Sequence, residues 1–411
     1  MEKSGLCCTG YGDFPPPAAS TFRILKSVVR GCVLPSADST DRGVIVDVVK
    51  NQKLGQCIGK LIRGENLSEK SAYDAFSMVL GNEVTEMQQG AFLAALTAKG
   101  ETSQEVAGGW KAVYELDTEK VDFGDIAVVD NCGTGMDTFK TFNISTAASL
   151  VAAAGGVKVA RHGARAITSS CGTVDMAELL GVDVECGVDL VKKSVVEAGI
   201  GLFNGMSSKV HPMALGRILS QICFGSPLNI AASLAHPGLP RVAVRGVYAP
   251  TLVQPVAEVM QAIGYSDALV LYGAINGSDK GMDEASVCGE TVGVQLKDGV
   301  IEPFSFMPKD VGVGMYNADL LASETDRNVA ALSMYELLGG RGEDAKNDAV
   351  ILNSSLIFYV QKMVPTIKDG VEKSRQLLLS GKAFETLEQW VAIQNRDAGA
   401  GIAKLEALGH G

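Results

Sequence analysis

Short apolar runs rich in β-branched residues alternate with Ala-rich runs of helical period from about residue 126 onward. Alternation at this spacing is typical of an α/β domain, in which helical crossovers join parallel strands. The pattern predicts strands over 126–130, 157–160, 241–245 and 268–272, with helices over 145–154, 176–180 and 252–263. A strand pair over 291–301 is predicted to turn at Asp298-Gly299, a dipeptide that favours hairpins.

The flanking segments lack strand signals and have helical periodicity instead. Residues 46–120 are predicted to form helices, one of them capped by Ser68, and residues 317–408 are predicted to be helical again. The predicted fold class is therefore α/β, with a small N-terminal helical domain over 46–120 that receives further helices from later in the chain. A larger α/β domain over 121–411 has a mostly parallel central sheet flanked by helices.

Residues 1–45 differ in composition from the rest of the chain. Gly, Pro, Ser and Cys are frequent there, and the stretch 14–37 holds Arg23, Lys26 and Arg30 but no acidic residue. Two interpretations stay open for this segment. It is either a flexible or loosely docked extension, or an organelle transit peptide, which is typically basic and poor in acids.

The overall charge and the cysteine pattern limit the functional classes. A net charge of −11 argues against non-specific nucleic-acid binding, which requires a basic surface. The 9 cysteines are odd in number and form no CxxC pair, which predicts reduced thiols in a cytoplasmic protein. No apolar run is long enough to span a bilayer, so no membrane partner is expected.

The segment 130–146 carries the strongest chemical signal. A buried strand leads into a Gly-rich turn, and a helix begins where Asn143, Ser145 and Thr146 stand. Main-chain N–H groups of such a turn and of a helix N-terminus bind anionic oxygens, although a plain strand-turn-helix with a Ser/Thr cap would share this outline. The substrate-binding residues predicted in this segment are Gly133, Thr134, Gly135, Asp137, Thr141, Asn143, Ser145 and Thr146.

This segment resembles the anthranilate phosphoribosyltransferases, which have a glycosyltransferase family 3 type fold. They carry Gly-Thr-Gly-Gly-Asp and, six residues later, Asn-Ile-Ser-Thr. The chain matches both motifs at the same spacing, and its one departure is Met136 in place of a glycine. The resemblance extends over residues 50–410.

Two further motifs resemble the same family. The run 161–165 is similar to its Lys-His-Gly-Asn-Arg, with Arg161 in place of lysine, and a Ser-rich stretch follows. The resemblance implies substrate binding by Arg161, His162, Gly163, Ser169 and Ser170. It also implies that the adjacent acids Asp283 and Glu284, with Ser145 on the opposite side, bind Mg²⁺, a cation that prefers oxygen ligands.

The acceptor half of the predicted site departs from the family pattern. Ala164 stands where the family places an asparagine that contacts anthranilate. His211 begins the expected His-Pro pair, but the nearest later arginine is Arg217, closer than the family's anthranilate-binding arginine. Both residues are retained as candidates for acceptor binding. The run 222–230 keeps Gly225 and Asn229 of a further family segment and lacks its first asparagine.

The resemblance implies a pentosyltransferase that uses Mg²⁺ to transfer phosphoribosyl from phosphoribosyl pyrophosphate to an aromatic amine, with no residue assigned as general acid or base. Anthranilate as acceptor would place the chain in tryptophan biosynthesis, and the family's usual assembly implies a homodimer. Another aromatic or heterocyclic acceptor is the first alternative. A non-catalytic protein that binds a ligand or nucleic acid on the same fold is the second.

Overall fold

The computed structural model describes residues 47–135, 137–166 and 170–410. The predictions for residues 1–45, Met136 and Ser169 therefore lie outside the described residues. Across these three ranges, no helix combines the length and the apolar character needed to cross a membrane.

Four helices open the described chain, and a polar residue caps the N-terminus of each. They are α1 (Val48–Ile62), α2 (Glu69–Leu80), α3 (Glu86–Lys99) and α4 (Ser103–Leu116). Ser68 accepts a hydrogen bond from the main-chain N–H of Ser71, which confirms the predicted cap. At α4, Thr102 and Glu105 form a capping box, and Lys99 binds the buried Glu105 carboxylate at 2.9 Å.

A single sheet follows, and most of it is parallel, as predicted. Its strands are β1 (Val128–Gly133), β2 (Lys158–Gly163), β3 (Ile200–Asn204), β4 (Val242–Gly246), β5 (Asp267–Ala274), β6 (Gly281–Met282), β7 (Thr291–Lys297) and β8 (Val300–Phe306). The spatial order is β3-β2-β1-β4-β5-β7-β8, and β6 pairs with β5. The first five strands are parallel, whereas β6, β7 and β8 are antiparallel to their neighbours. Asp298 and Gly299 have φ values of 51° and 77°, so the hairpin turn lies where it was predicted.

Helices cover both faces of the sheet. They are α5 (Ile144–Ala154), α6 (Thr173–Leu179), α7 (Val188–Ala198), α8 (Leu215–Ile222), α9 (Pro227–Leu234), α10 (Val253–Ala262), α11 (Arg327–Glu336), α12 (Asp344–Val360), α13 (Ile367–Leu379), α14 (Lys382–Ile393) and α15 (Ala398–Gly409). Helices α5, α12 and α14 pack together in the largest apolar core, around the fully buried Trp390. Helices α9 and α10 cover the opposite face together with α4.

Helices α8 and α9 also complete the core of the N-terminal helices. Leu215, Ile218 and Leu228 are buried in the same cluster as Leu54 and Phe76 of α1 and α2. Later segments therefore contribute to the helical part of the molecule, and these two helices link it to the sheet.

The strand order places a crevice above β1 and β4. From β1 the chain moves through β2 to β3, and it then returns to β4 on the other side of β1. In an open α/β sheet, ligands bind beyond the carboxyl ends of the strands at such a reversal. Gly133 and Gly246 are paired at these two ends.

The crossing of α2 and α4 depends on a glycine. A Cβ on Gly108 would overlap the main-chain carbonyl of Glu69 and the side chain of Ala72, whereas a Cβ on Gly90 in α3 would meet no atom within 4 Å. We expect Gly108→Ala to lower the free energy of unfolding by about 1–3 kcal/mol through overpacking. Gly90→Ala, the matched control, should raise it by up to about 1 kcal/mol through helix propensity. Urea denaturation measures both, and equal stabilities would contradict the packing argument.

Candidate functional site

The segment that carries Asp283 lies directly on the ends of β1 and β4. A Cβ on Gly133 would overlap the Asp283 carboxylate, and a Cβ on Gly246 would overlap the Asp283 main-chain carbonyl. Only glycine permits so close an approach at both positions. Asp283 therefore packs directly against the carboxyl ends of these two strands.

Hydrogen bonds join the Gly-rich loop to this acidic segment. The main-chain N–H of Gly135, which has a φ of 67°, donates to Asp283 Oδ2 at 2.7 Å. Further along the loop, Phe139 N–H donates to the Gly281 carbonyl at 3.1 Å, and Gly281 N–H donates to Thr138 Oγ1 at 3.0 Å. Two motifs that are far apart in sequence thus form one structural unit.

Three carboxylates gather at this point. Burial, followed by the negative charge of Asp283, raises the pKa of Asp137 to about 6. A salt bridge of 2.8 Å between Asp137 and Lys140 opposes this rise. Burial also raises the pKa of Glu284 well above its ordinary value, with Asp283 and Asp137 adding to the effect. Thr141 Oγ1 donates to Glu284 Oε2 at 3.5 Å. Because neighbouring carboxylates repel one another when they are all ionised, this site favours the binding of a proton or of a cation.

This donor set fits magnesium that is shared with an anionic ligand. In the described part of the chain, no three His, Cys, Asp or Glu side chains are arranged to hold a metal ion by themselves. Magnesium is commonly held by one or two carboxylates, with substrate phosphates and water completing its shell. Asp283 and Glu284 would therefore hold the ion together with phosphate oxygens.

The N-terminus of α5 faces the same crevice. Asn143 occupies the N-cap position but makes no capping hydrogen bond with its side chain, whose amide donates to the Cys171 carbonyl at 3.3 Å. The first turn of α5, with the hydroxyls of Ser145 and Thr146, is thus left without a side-chain cap. An uncapped helix N-terminus attracts anionic oxygens.

Arg161 supports these hydroxyls from inside the protein. Its guanidinium donates to Thr146 Oγ1 at 2.6 Å, to Ser145 Oγ at 3.0 Å and to the Asn131 carbonyl at 3.1 Å. The side chain is only 1% exposed. Direct phosphate binding, the role expected for Arg161, does not suit this geometry, because all three guanidinium nitrogens already have acceptors, two of them the Ser145 and Thr146 hydroxyls.

A segment from the C-terminal half, residues 321–324, is hydrogen-bonded to the loop 133–146. Phe142 N–H donates to the Leu321 carbonyl at 3.0 Å, and Ser323 N–H donates to the Lys140 carbonyl at 2.9 Å. Ser170, a predicted phosphate donor, is bonded to Ser323 Oγ at 2.9 Å and to the Glu324 carbonyl at 2.7 Å. Ser170, which follows β2 in the chain, thus joins a third part of the candidate site to this segment, a contact that the sequence motifs did not indicate.

The histidines of the candidate site form a buried cluster. His211 Nδ1 lies 2.6 Å from the Asp117 carbonyl, and the two Nε2 atoms of His162 and His211 are 3.1 Å apart. His236 packs edge-on to His162. Burial lowers the pKa of all three imidazoles. A neutral His211 therefore carries its proton on Nδ1, from which it donates to the Asp117 carbonyl.

The structure does not bring Arg217 to this cluster. Its guanidinium donates to Gln89 Oε1 at 2.9 Å and to the Val79 carbonyl at 3.0 Å, both in the helical part. Asn229 caps α9 by accepting from Ser226 N–H at 2.9 Å. Ala164 follows the end of β2 and is exposed. Arg217 and Asn229 are thus committed to structural contacts, and Ala164 has no hydrogen-bonding side chain.

Comparisons with known proteins agree with this architecture. The glycosyl transferase family α/β domain matches residues 125–384, and the helical bundle domain of the same family matches residues 55–116. An anthranilate phosphoribosyltransferase of Methanothermobacter marburgensis is 35% identical over 338 residues, 80% of this chain and 95% of the relative.

Solved structures show the same fold. Anthranilate phosphoribosyltransferase from Thermus thermophilus superposes with a TM-score of 0.73 at 30% identity, covering 82% of this chain and 99% of that one. The Saccharomyces cerevisiae enzyme in complex with PRPP and Mg superposes with a TM-score of 0.72 at 21% identity, covering 84% of this chain and 98% of that one.

The raised pKa of Asp137 predicts a pH-dependent stability in metal-free buffer. Its folded pKa of about 6 exceeds the ordinary aspartate value, so the folded state is favoured while the carboxyl is protonated and loses stability as pH rises through 6. Between pH 4 and 7 the wild type should lose roughly 2 kcal/mol relative to Asp137→Asn. Denaturation in a chelator at both pH values measures this. The exposed Asp125→Asn serves as control, and parallel curves for Asp137→Asn and wild type would contradict the prediction.

Proposed function

The chain belongs to the anthranilate phosphoribosyltransferase family, and on that premise we propose that it transfers phosphoribosyl from phosphoribosyl pyrophosphate to an aromatic amine, with Mg²⁺. Anthranilate or a closely related molecule is the proposed acceptor. With anthranilate, the reaction would be a step of tryptophan biosynthesis.

One observation carries this proposal. The Asp283-Glu284 pair rests on the glycine ends of β1 and β4, and the Gly135 N–H holds Asp283 at 2.7 Å beside the uncapped N-terminus of α5. Carboxylates for a divalent cation thus lie beside donors for phosphate oxygens. A magnesium-pyrophosphate group needs both, and an enzyme using inorganic phosphate would not need the acid pair.

The proposed reaction is a substitution at the anomeric carbon of ribose. The amine nitrogen forms a bond to that carbon, the bond to pyrophosphate breaks, and a proton leaves the amine. Asp283 and Glu284 would hold magnesium, which would supply positive charge to stabilise the departing pyrophosphate. The loop 133–146 would hold the pyrophosphate oxygens through main-chain N–H groups and through Ser145 and Thr146, which Arg161 orients.

A second candidate is the same transfer to a different aromatic or heterocyclic acceptor. The observation that favours it is the acceptor side of the site, where Ala164 offers no amide and Arg217 is bonded to Gln89 and Val79. A site that lacks the polar partners of an acid binds that acid weakly.

We also propose that the enzyme is cytoplasmic and assembles as a homodimer through its helical part. The described cysteines are all free thiols, in agreement with a reducing compartment. Large apolar side chains are exposed on the helical part, at Val48, Val49 and Ile62 of α1 and at Met87 of α3. A second copy that covers them would remove this apolar surface from water.

Substitution of the acid pair tests the proposed function. In isothermal titration calorimetry with phosphoribosyl pyrophosphate and Mg²⁺, we expect Asp283→Asn/Glu284→Gln to weaken binding by about 100-fold or more, because two carboxylate ligands are lost. The wild type should bind weakly without the metal.

The control is Asp279→Asn, which removes an exposed carboxylate from the connection between β5 and β6, just before the acid pair. This variant should bind like the wild type. Metal-dependent binding that survives in the double variant would overturn the assignment of Asp283 and Glu284, and no binding by the wild type would overturn the transferase proposal.

A further inference from the structure

A buried arginine next to the site is only partly hydrogen-bonded. Arg245 lies on β4, immediately before Gly246, and is 1% exposed. Its Nη2 donates to Asp130 Oδ2 at 3.4 Å and to the Ser233 carbonyl at 3.3 Å. Within the described residues, its Nε and Nη1 have no hydrogen-bond partner.

The surrounding groups do not complete these hydrogen bonds. Asp130 Oδ1 and the Tyr265 hydroxyl are also buried without a partner among the described residues. The Asp130–Arg245 contact is a single long one, not a bidentate pair. A buried guanidinium with two unsatisfied N–H groups is strongly disfavoured, so this arrangement suits a further anionic or polar partner.

Arg245 lies on the face of the sheet opposite α5. The side chains of Asn131 on β1 and Arg161 on β2 point towards α5, where both form hydrogen bonds to Ser145. Because successive residues of a strand point to opposite faces, the residues next to them point away from α5. Arg245 pairs with Cys132 in the parallel register and shares that opposite face with His162. The Ser233 carbonyl, near the end of α9, lies 3.3 Å from Arg245 Nη2 and 3.4 Å from His162 Nδ1.

We propose that Arg245 is the specificity-determining residue that binds the carboxylate of an acidic aromatic acceptor. The proposal rests on the transferase function and names its acceptor class. The free N–H groups of Arg245 can pair with a carboxylate, the geometry for which guanidinium is suited. The guanidinium groups of Arg161, Arg165 and Arg217 are all bonded to other groups, whereas Arg245 keeps nitrogens without a partner among the described residues.

Equilibrium binding of two matched acceptors tests the proposal without turnover. Anthranilate and its neutral amide, 2-aminobenzamide, are titrated into the enzyme with Mg²⁺ and pyrophosphate in place of the phosphoribosyl donor. The wild type should bind anthranilate at least about tenfold more tightly than the amide. Arg245→Met, which keeps an apolar chain of similar length, should weaken anthranilate binding by about 10- to 100-fold and leave the amide nearly unchanged.

Asp130→Asn separates specificity from simple structural support. Asp130 competes with the ligand for the same guanidinium, so its neutralisation should preserve or increase the preference for anthranilate. A purely structural ion pair would instead make both variants lose both ligands together. Arg245→Lys should recover part of the preference, since it restores the charge without the planar fork.

Arg241→Met is the matched control, because Arg241 precedes β4 and bonds the Gly264 carbonyl at the opposite end of the strand. It should behave like the wild type. Equal affinity of the wild type for the two acceptors, or an unchanged preference in Arg245→Met, would overturn the proposal. Donor binding with Mg²⁺, measured separately in every variant, shows whether the transferase function itself has failed.

Discussion

The contact of Asp283 with the glycine ends of β1 and β4, through its carboxylate at Gly133 and its main chain at Gly246, determines the rest of the site. Because Gly133 and Gly246 have no side chain, the acidic segment can lie on the sheet at the point where the strand order reverses. This position brings Asp283 within 2.7 Å of the Gly135 N–H. The Gly-rich loop and the acid pair therefore depend on the close approach of Asp283 to both strand ends, which any residue larger than glycine would prevent.

The buried arginines on the two faces of the sheet differ in how completely they are hydrogen-bonded. Towards α5, every nitrogen of the Arg161 guanidinium has a hydrogen-bond acceptor, so the cost of burying the cation is offset and two hydroxyls are fixed. On the opposite face, Arg245 makes only long contacts through one nitrogen. The hydrogen bonds of Arg161 are therefore complete within the fold, whereas those of Arg245 leave room for a further partner.

Local sequence predicted the parts of the fold that local chemistry determines. The alternation of strands and helices, the Ser68 cap and the Asp298-Gly299 turn are all confirmed, because each depends on neighbouring residues. Strand β3 (Ile200–Asn204) was not predicted, since it is short and contains Gly201, whose lack of a side chain accommodates Val191 and Val195 of α7. Such packing depends on contacts that the sequence pattern does not contain.

The sequence motifs predicted individual parts of the candidate site but not the contacts between those parts. The loop and the acid pair could be found separately, but nothing in the sequence showed that Thr141 and Glu284 would lie 3.5 Å apart. The sequence signal for Arg245 is a cation at the end of the apolar strand run 241–245. Burying an arginine in a central strand is costly, so such a residue needs a partner that the strand pattern cannot name. Charged residues within predicted core strands are therefore as informative about specificity as the motifs are about chemistry.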